Sequence, residues 1–211
     1  MTTVLLVDDQ RLVRAGLRML LESTPDLTVV AEAANGVEAV RMAAEHTPDL
    51  ILMDLRMPGM DGVRATTEIL GARPTAKVLV LTTFDDDDHL YPALAAGASG
   101  YLIKDTDPDD LLSAIRQTVD GGLLFSPALL RRVVDRAVAA DRPATAAAPA
   151  QLTARERDVL ALVGAGYGNQ EIADHLHLGV TTVKKHIAHL MDKTGSDNRV
   201  RLAVYAVRLE L

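Results

Sequence analysis

No cysteine occurs in the 211 residues. Disulfides, thiolate metal sites and cysteine nucleophiles are therefore excluded. No apolar run approaches the ~20 residues that span a bilayer, so no membrane association is expected, although 48% of the chain is apolar and can fill globular cores. The N-terminus has no basic leader region. A strand-like TVLLV begins at Thr3, so no secretory signal is expected and the cytoplasm is the expected location. An excess of positive charge is also missing: the net charge is −7. Residues 1–122 hold 10 basic and 20 acidic residues, residues 123–150 hold 4 and 2, and residues 151–211 hold 8 and 7 with four of the six histidines. An acidic front and a near-neutral back imply two modules with different partners. The back half is not basic enough to announce nucleic acid by charge alone.

Residues 1–122 alternate short apolar runs with amphipathic segments. The runs at 3–7, 28–33, 50–53, 77–81 and 101–103 read as strands. Helical patterns fall near 11–22, 37–46, 63–71, 87–96 and 108–120. Five β-α units in succession predict an α/β, doubly wound, five-stranded parallel sheet covered by helices on both faces. Asp107-Pro108 opens the last helix with a cap residue and a proline at the first helical position, and Gly121-Gly122 stops it. Residues 123–150 read as a linker. SPALLRRVVDRAV has the spacing of a connecting helix, and DRPATAAAPA, small residues with two prolines, cannot bury a core.

Residues 151–211 hold four helical patterns and no strand pattern. Thr153 and Glu156 form a capping box for a helix that runs to about Val163. Asn169 caps a short second helix to Leu176. Gly179 opens a third over 180–193, closed by Gly195, and Asn198 caps a fourth that runs to near Glu210. Two short helices joined by a tight turn within a small bundle describe a helix-turn-helix.

The chemistry collects at strand ends. Leu50 to Met53 are apolar and run into Asp54, which Pro58-Gly59 and Asp61-Gly62 follow as turn signals. A lone Asp there is ordinarily just solvated, but Asp8 and Asp9 follow the first strand. In the flavodoxin-like order 2-1-3-4-5, strands 1 and 3 are neighbours flanking the switch point. Three carboxylates then converge, which is costly without a cation. Mg²⁺, held by a few carboxylates and water, fits best. Thr82 ends strand 4 with a hydroxyl and Lys104 ends strand 5 with an ammonium. Together these groups make a phosphoryl-binding site. The competing reading, a flavin protein of the same fold, lacks the small-residue phosphate loop after strand 1 that anion binding wants.

These residues carry a resemblance. Asp8-Asp9, MDLRMPGMDG around Asp54, Thr82-Thr83 and the GYLIKD run from Gly100 resemble the receiver domain of two-component response regulators. The resemblance implies that Asp54 accepts a phosphoryl group from a phosphohistidine on a sensor kinase. Asp8, Asp9, Asp54 and the backbone carbonyl of Arg56 would hold Mg²⁺. Lys104 would pair with phosphoryl oxygens, and Thr82 and Tyr101 would act as switch residues. Phe84, two beyond Thr82, is expected to overhang the pocket and slow hydrolysis, and the acidic run 85–88 to open a helix favourably. Asp105 stands where many receivers have proline, so the peptide after Lys104 is expected to be trans.

Residues 152–210 resemble the LuxR/NarL-type helix-turn-helix domain. By that resemblance the third helix lies in the major groove of promoter DNA, with Lys184, Lys185 and Ala188 facing base edges. Thr181, Thr182, His186 and His189 would lie near the backbone. Val183, Ile187, Leu190 and Met191 recur at helical spacing and read as its inward face. Thr194 replaces an apolar residue and is expected to loosen that corner. With only three basic residues on this helix, tight binding calls for a homodimer. The expected protein is a response regulator of the NarL/FixJ type, a phosphorylation-dependent transcriptional regulator that dimerises on phosphorylation. It is not a turnover enzyme and catalyses only its own phosphorylation and dephosphorylation. An orphan regulator working without phosphorylation is the alternative, against which the complete set of five site residues argues.

Overall fold

The structure is a computed structural model that describes residues 1–82, 92–122, 152–196 and 198–209. Thr83, Phe84, the acidic run 85–88, the connecting helix and the linker lie outside the described residues. The chain divides into two units, Met1–Val119 and Asp120–Leu211. No helix among the described residues is long and apolar enough to cross a membrane.

In the first unit five parallel strands, β1 (Thr2–Val7), β2 (Leu27–Ala33), β3 (Leu50–Asp54), β4 (Val78–Thr82) and β5 (Gly100–Ile103), lie in the order β2-β1-β3-β4-β5. Helices α1 (Arg11–Glu22), α2 (Gly36–His46), α3 (Gly62–Ala72) and α4 (Pro108–Val119) join and cover them. Burial follows position in the sheet. β3 and β4 are buried at every residue, as central strands covered on both faces should be. The edge strand β2 alternates, with Leu27, Val29, Ala31 and Ala33 buried.

Leu and Met favour helices, yet Leu50, Leu52 and Met53 sit in a strand, none more than 1% exposed. Burial of such a side chain contributes ~1.5–3 kcal/mol. Intrinsic propensity differences are below ~0.7 kcal/mol per residue, so packing decides. β3 and β4 each end on a site residue, Asp54 and Thr82. The peptide after Lys104 is trans.

The second unit contains α5 (Ala154–Gly164), α6 (Asn169–Leu176), α7 (Val180–Thr194) and α8 (Arg199–Arg208). Its core is built from Val159, Leu160, Val163, Ile172, Val183, Ile187, Leu190, Val200 and Leu202 with small residues between them. Gly164 lets α8 approach α5, because a Cβ there would stand 2.8 Å from the Ala206 Cβ. The turn from α6 to α7 passes through His177 in the left-handed conformation, φ 52°.

Two local expectations change. Asn169 is not the cap of α6; Gly168 is, and its N–H donates to Glu171 Oε2 at 2.7 Å. The Asn169 Oδ1 instead accepts from Arg199 Nη1 at 2.8 Å, while Arg199 Nη2 donates to the Tyr167 carbonyl at 2.7 Å. This guanidinium ties the start of α8 to the start of α6, and burial lowers its pKa to about 10. Thr194 does not leave a loose corner either. Its hydroxyl bonds the Leu190 carbonyl at 2.7 Å and lies 2.8 Å from Ser196 Oγ.

The capping box of α5 is present and carries a second load. Glu156 accepts from the Thr153 N–H at 2.9 Å and from Lys193 of α7 at 2.8 Å. The Lys193 ammonium, then the Thr153 N–H, lower its pKa to about 2. The folded value lies below the unfolded ~4.3, so this stabilisation is present above that value and is lost as pH falls toward 2. Glu156→Gln should therefore cost this unit about 1 kcal/mol at pH 7, the scale of a cap plus a half-exposed ion pair. The deficit should vanish near pH 2. Urea titrations followed by the methyl NMR signals of Leu160 and Leu190 at both pH values check this; a pH-independent deficit would contradict it.

Candidate functional site

The sheet register assembles the first site. Val7 pairs with Met53, Asp54 with Leu81 and Thr82 with Ile103. Asp8 and Lys104, each one residue beyond its strand, therefore arrive beside Asp54 and Thr82. Carboxylate oxygens of Asp8, Asp9 and Asp54 lie within 4.8 Å of one another. Asp8 and Asp54 are buried while Asp9 is exposed. Lys104 Nζ bridges the buried pair, 2.6 Å from Asp8 Oδ2 and 2.8 Å from Asp54 Oδ2.

The ionisation of this cluster is contested. Burial raises the Asp54 pKa; the Lys104 hydrogen bond and charge oppose it only in part, and the Asp8 charge adds to it. For Lys104 burial pulls downward, but hydrogen bonds and charges from Asp54 and Asp8 outweigh it and the pKa rises. An ammonium occupies part of the space between the carboxylates. Oxygen ligands alone at this spacing are the donor set a hard divalent cation takes, so the residues present fit Mg²⁺.

The remaining receiver residues take distinct places. Thr82 is 1% exposed, and its carbonyl accepts from the Lys104 N–H at 2.8 Å. Tyr101 is half-buried and pairs in register with Val80. Residues paired in register project to the same side and alternate along each strand, so Thr82 and Tyr101 share one face of the sheet. Arg56 is exposed, and its N–H points to Asp54 Oδ1 at 3.3 Å.

Two glycines clamp the loop that follows. The Gly62 N–H donates to the Leu55 carbonyl at 2.9 Å and the Gly36 N–H to the Met60 carbonyl at 3.1 Å. Asp61 caps α3, accepting from the Arg64 N–H at 2.8 Å. Gly59, at φ 80°, makes the turn between them.

On α7, Val183, Ile187 and Leu190 are buried and Met191 half-buried. The opposite face exposes Thr181, Thr182, Lys184, Lys185, Ala188 and His189, with His186 half-buried. The sequence-derived surface is thus one contiguous helical face carrying two ammonium groups.

A family model described as the response regulator receiver domain matches residues 4–116. A second, described as bacterial regulatory proteins of the luxR family, matches residues 150–206. The chain is a LuxR-type response regulator. This regulator is 41% identical over 208 residues to the response regulator protein VraR of Staphylococcus aureus, covering 99% of the chain and 97% of the relative. The Staphylococcus epidermidis VraR is 40% identical over the same length and shares.

Among solved structures, the response regulator ChrA of a heme-sensing two-component system is 35% identical with a TM-score of 0.53, covering 99% of the regulator and 97% of that chain. A LuxR-family two-component response regulator from Aurantimonas sp. SI85-9A1 is 38% identical with a TM-score of 0.58, covering 65% and 99%. The regulator thus combines a receiver with a LuxR-type DNA-binding domain. Sequence reading missed two of its side chains that brace the functional surfaces, Arg14 and Arg199. Each is one of three arginines on its helix, and each has a side-chain partner far along the chain, 18 residues away for Arg14 with Glu32 and 30 for Arg199 with Asn169. No local pattern marks either.

Proposed function

We propose that Asp54 is the phosphoacceptor of this response regulator and that its chemical state controls promoter binding by α7. The observation that carries this is the buried Asp8–Asp54 pair bridged by Lys104, a charged arrangement with no role in packing. An Asp54 carboxylate oxygen attacks the phosphorus of a phosphohistidine on a sensor histidine kinase. The P–N bond breaks, the imidazole leaves, and an acyl phosphate remains on Asp54. Asp8, Asp9, Asp54 and the Arg56 carbonyl would hold Mg²⁺, which supplies charge neutralisation at the phosphoryl oxygens. Lys104 then exchanges its carboxylate partners for phosphoryl oxygens. The Thr82 hydroxyl turns to the new acceptors, and Tyr101, on the same face, follows it. The receiver catalyses this step on itself, and also the hydrolysis in which water takes the phosphoryl group as inorganic phosphate and restores the Asp54 carboxylate; it acts on no other substrate.

A phosphoryl group adds about −1.5 to −2 charge and three acceptors. Its binding free energy shifts the receiver toward the form that dimerises. The homodimer presents two α7 helices to two half-sites of double-stranded DNA in the cytoplasm. Lys184 and Lys185, with Ala188 one turn further on, face base edges; Thr181, Thr182, His186 and His189 lie along phosphates. The receiver spans 1–122, the linker 123–150 and the DNA-binding domain 151–211.

The test is a selection of duplexes from a random pool by protein treated with acetyl phosphate and Mg²⁺. Treatment should add one phosphoryl group by mass and tighten binding to the selected duplex at fixed salt. Lys184→Ala should cost about 1–3 kcal/mol of discrimination against mutated half-sites. Duplex binding indifferent to phosphorylation would refute the control, and unaltered selectivity in Lys184→Ala would refute the docking.

A further inference from the structure

The Asp8–Asp9 turn has an anchor outside the crevice. Arg14, on the first turn of α1, reaches back and donates from Nη1 to the Asp8 carbonyl at 2.6 Å. Its Nε donates to Glu32 Oε2 on β2 at 3.2 Å, and the side chain is only 14% exposed. Glu32 Oε1 in turn accepts from Arg18 Nε at 2.5 Å, and Arg18 Nη1 donates to Glu22 at 2.7 Å. The guanidinium of Arg14 is therefore fixed from the β2 side while it grips the turn. Gln10 at the N-cap of α1 makes no side-chain capping bond, and on the β2 side the turn is also held by the Asp8 N–H, which donates to the Ala33 carbonyl at 3.2 Å. What joins turn to helix is Asp8, whose Oδ1 accepts from the Gln10 N–H at 2.8 Å and whose carbonyl takes Arg14.

We propose that Arg14 is a positioning residue for divalent-cation binding, acting through the Asp8 carbonyl on the direction of the Asp9 carboxylate. This rests on the cation site at Asp8, Asp9 and Asp54 argued above. The peptide unit is planar, so fixing the Asp8 carbonyl fixes the orientation from which Asp9 departs. Asp9 is exposed, so burial does not hold it. Its neighbours, Asp8 and Asp54, repel it until a cation joins them. A tether on the backbone keeps Asp9 close enough to complete the donor set.

Charge and position pull in opposite directions here, which makes the sign informative. A guanidinium bonded to the Asp8 carbonyl adds positive charge beside the site and disfavours a cation, so on charge alone Arg14→Ala tightens metal binding. On positioning it weakens binding.

The experiment uses Mn²⁺ as the probe and the full chain, with free Mn²⁺ read by electron paramagnetic resonance and metal-free thermal unfolding read alongside. Arg14→Ala should weaken Mn²⁺ binding about tenfold, as loss of a group that orients a ligand does. Arg18→Ala breaks the Glu32 and Glu22 bonds but not the Asp8 contact. It should stay within about twofold of the parent. Arg14→Lys keeps the charge but cannot bridge Asp8 and Glu32 with a fork of donors, so most of the loss should persist; it also carries the test if Arg14→Ala does not fold. Unchanged or tighter binding in the Arg14 variants, or equal weakening by Arg18→Ala, overturns the proposal. If the parent itself does not take up Mn²⁺ and Asp9→Asn changes nothing, the cation site falls and the proposal with it.

Discussion

Asp54→Asn should take up no phosphoryl group from acetyl phosphate and Mg²⁺, and yet its receiver should unfold at a higher temperature than the parent in metal-free buffer at neutral pH. Both halves follow from the same burial. The amide keeps the shape of the side chain and can still accept from Lys104, but it offers no carboxylate oxygen to attack phosphorus. What it removes is a negative charge that is 4% exposed, beside a second carboxylate that is 2% exposed, with one ammonium between the two.

The pH dependence has a definite sign. Burial raises the Asp54 pKa in the folded state, so the native protein retains a proton that the unfolded chain has already released. Stability then falls as pH rises from the unfolded ~3.9 through the folded value. The parent carries the full penalty above that window, and below it the Asp54 carboxyl is neutral in the folded and the unfolded chain alike. The advantage of Asp54→Asn should thus be present at pH 7, about 1 kcal/mol on the scale of other relieved functional sites, and disappear near pH 4. Saturating Mg²⁺ should remove it too, by restoring a cation to the parent. A variant less stable than the parent at pH 7 without metal would sink this account, and phosphoryl uptake by the variant would remove Asp54 as acceptor.

A penalty of that kind is also why this part of the site was legible in the sequence. Buried carboxylates at strand ends serve packing so poorly that their presence after TVLLV and LILM points to chemistry. Their convergence needed only the strand order, and the observed register brings Asp8, Asp54, Thr82 and Lys104 together as that order requires. The helices were legible where a local signal ends them, as with Thr153 and Glu156 or Asn198 and Arg201. Sequence reading failed where a distant partner outbids a local one. Asn169 has the side chain of a cap, but Arg199 claims its oxygen, and the Gly168 N–H is served by Glu171. Arg14 carries no local signal of its role, because the carbonyl it grips precedes its own helix. The Gly62 of Asp61-Gly62 read as a turn residue, and the structure gives it a different reason to be glycine.

Gly62→Ala should destabilise the receiver by about 3 kcal/mol, at the upper end of overpacking costs, and should slow phosphorylation of Asp54 in whatever protein remains folded. A Cβ at position 62 would stand 2.0 Å from the Asp54 carbonyl oxygen, 2.8 Å from the Leu55 Cα and 2.9 Å from the Asp54 carbonyl carbon. All three are backbone atoms, so no side chain can rotate to make room. Either α3 lifts away and surrenders the Gly62-to-Leu55 hydrogen bond of 2.9 Å, or the last peptide of β3 turns and carries the Asp54 carboxylate off the line to Asp8 and Lys104.

Gly59 supplies the control. It also looks like a turn glycine, but its constraint is conformational: φ is 80° and nothing lies within 4 Å of a Cβ built there. Gly59→Ala should cost only the about 1–2 kcal/mol of a left-handed L-residue, and Gly59→Asn less, since Asn tolerates that region. Thermal unfolding and acetyl phosphate uptake of the three variants separate the two causes. Strain at Gly59 should lower stability and spare the uptake rate, whereas the clash at Gly62 should lower both. Equal behaviour of Gly62→Ala and Gly59→Ala would mean that β3 and α3 part easily, and that the Asp54 backbone is not held by the glycine beneath it.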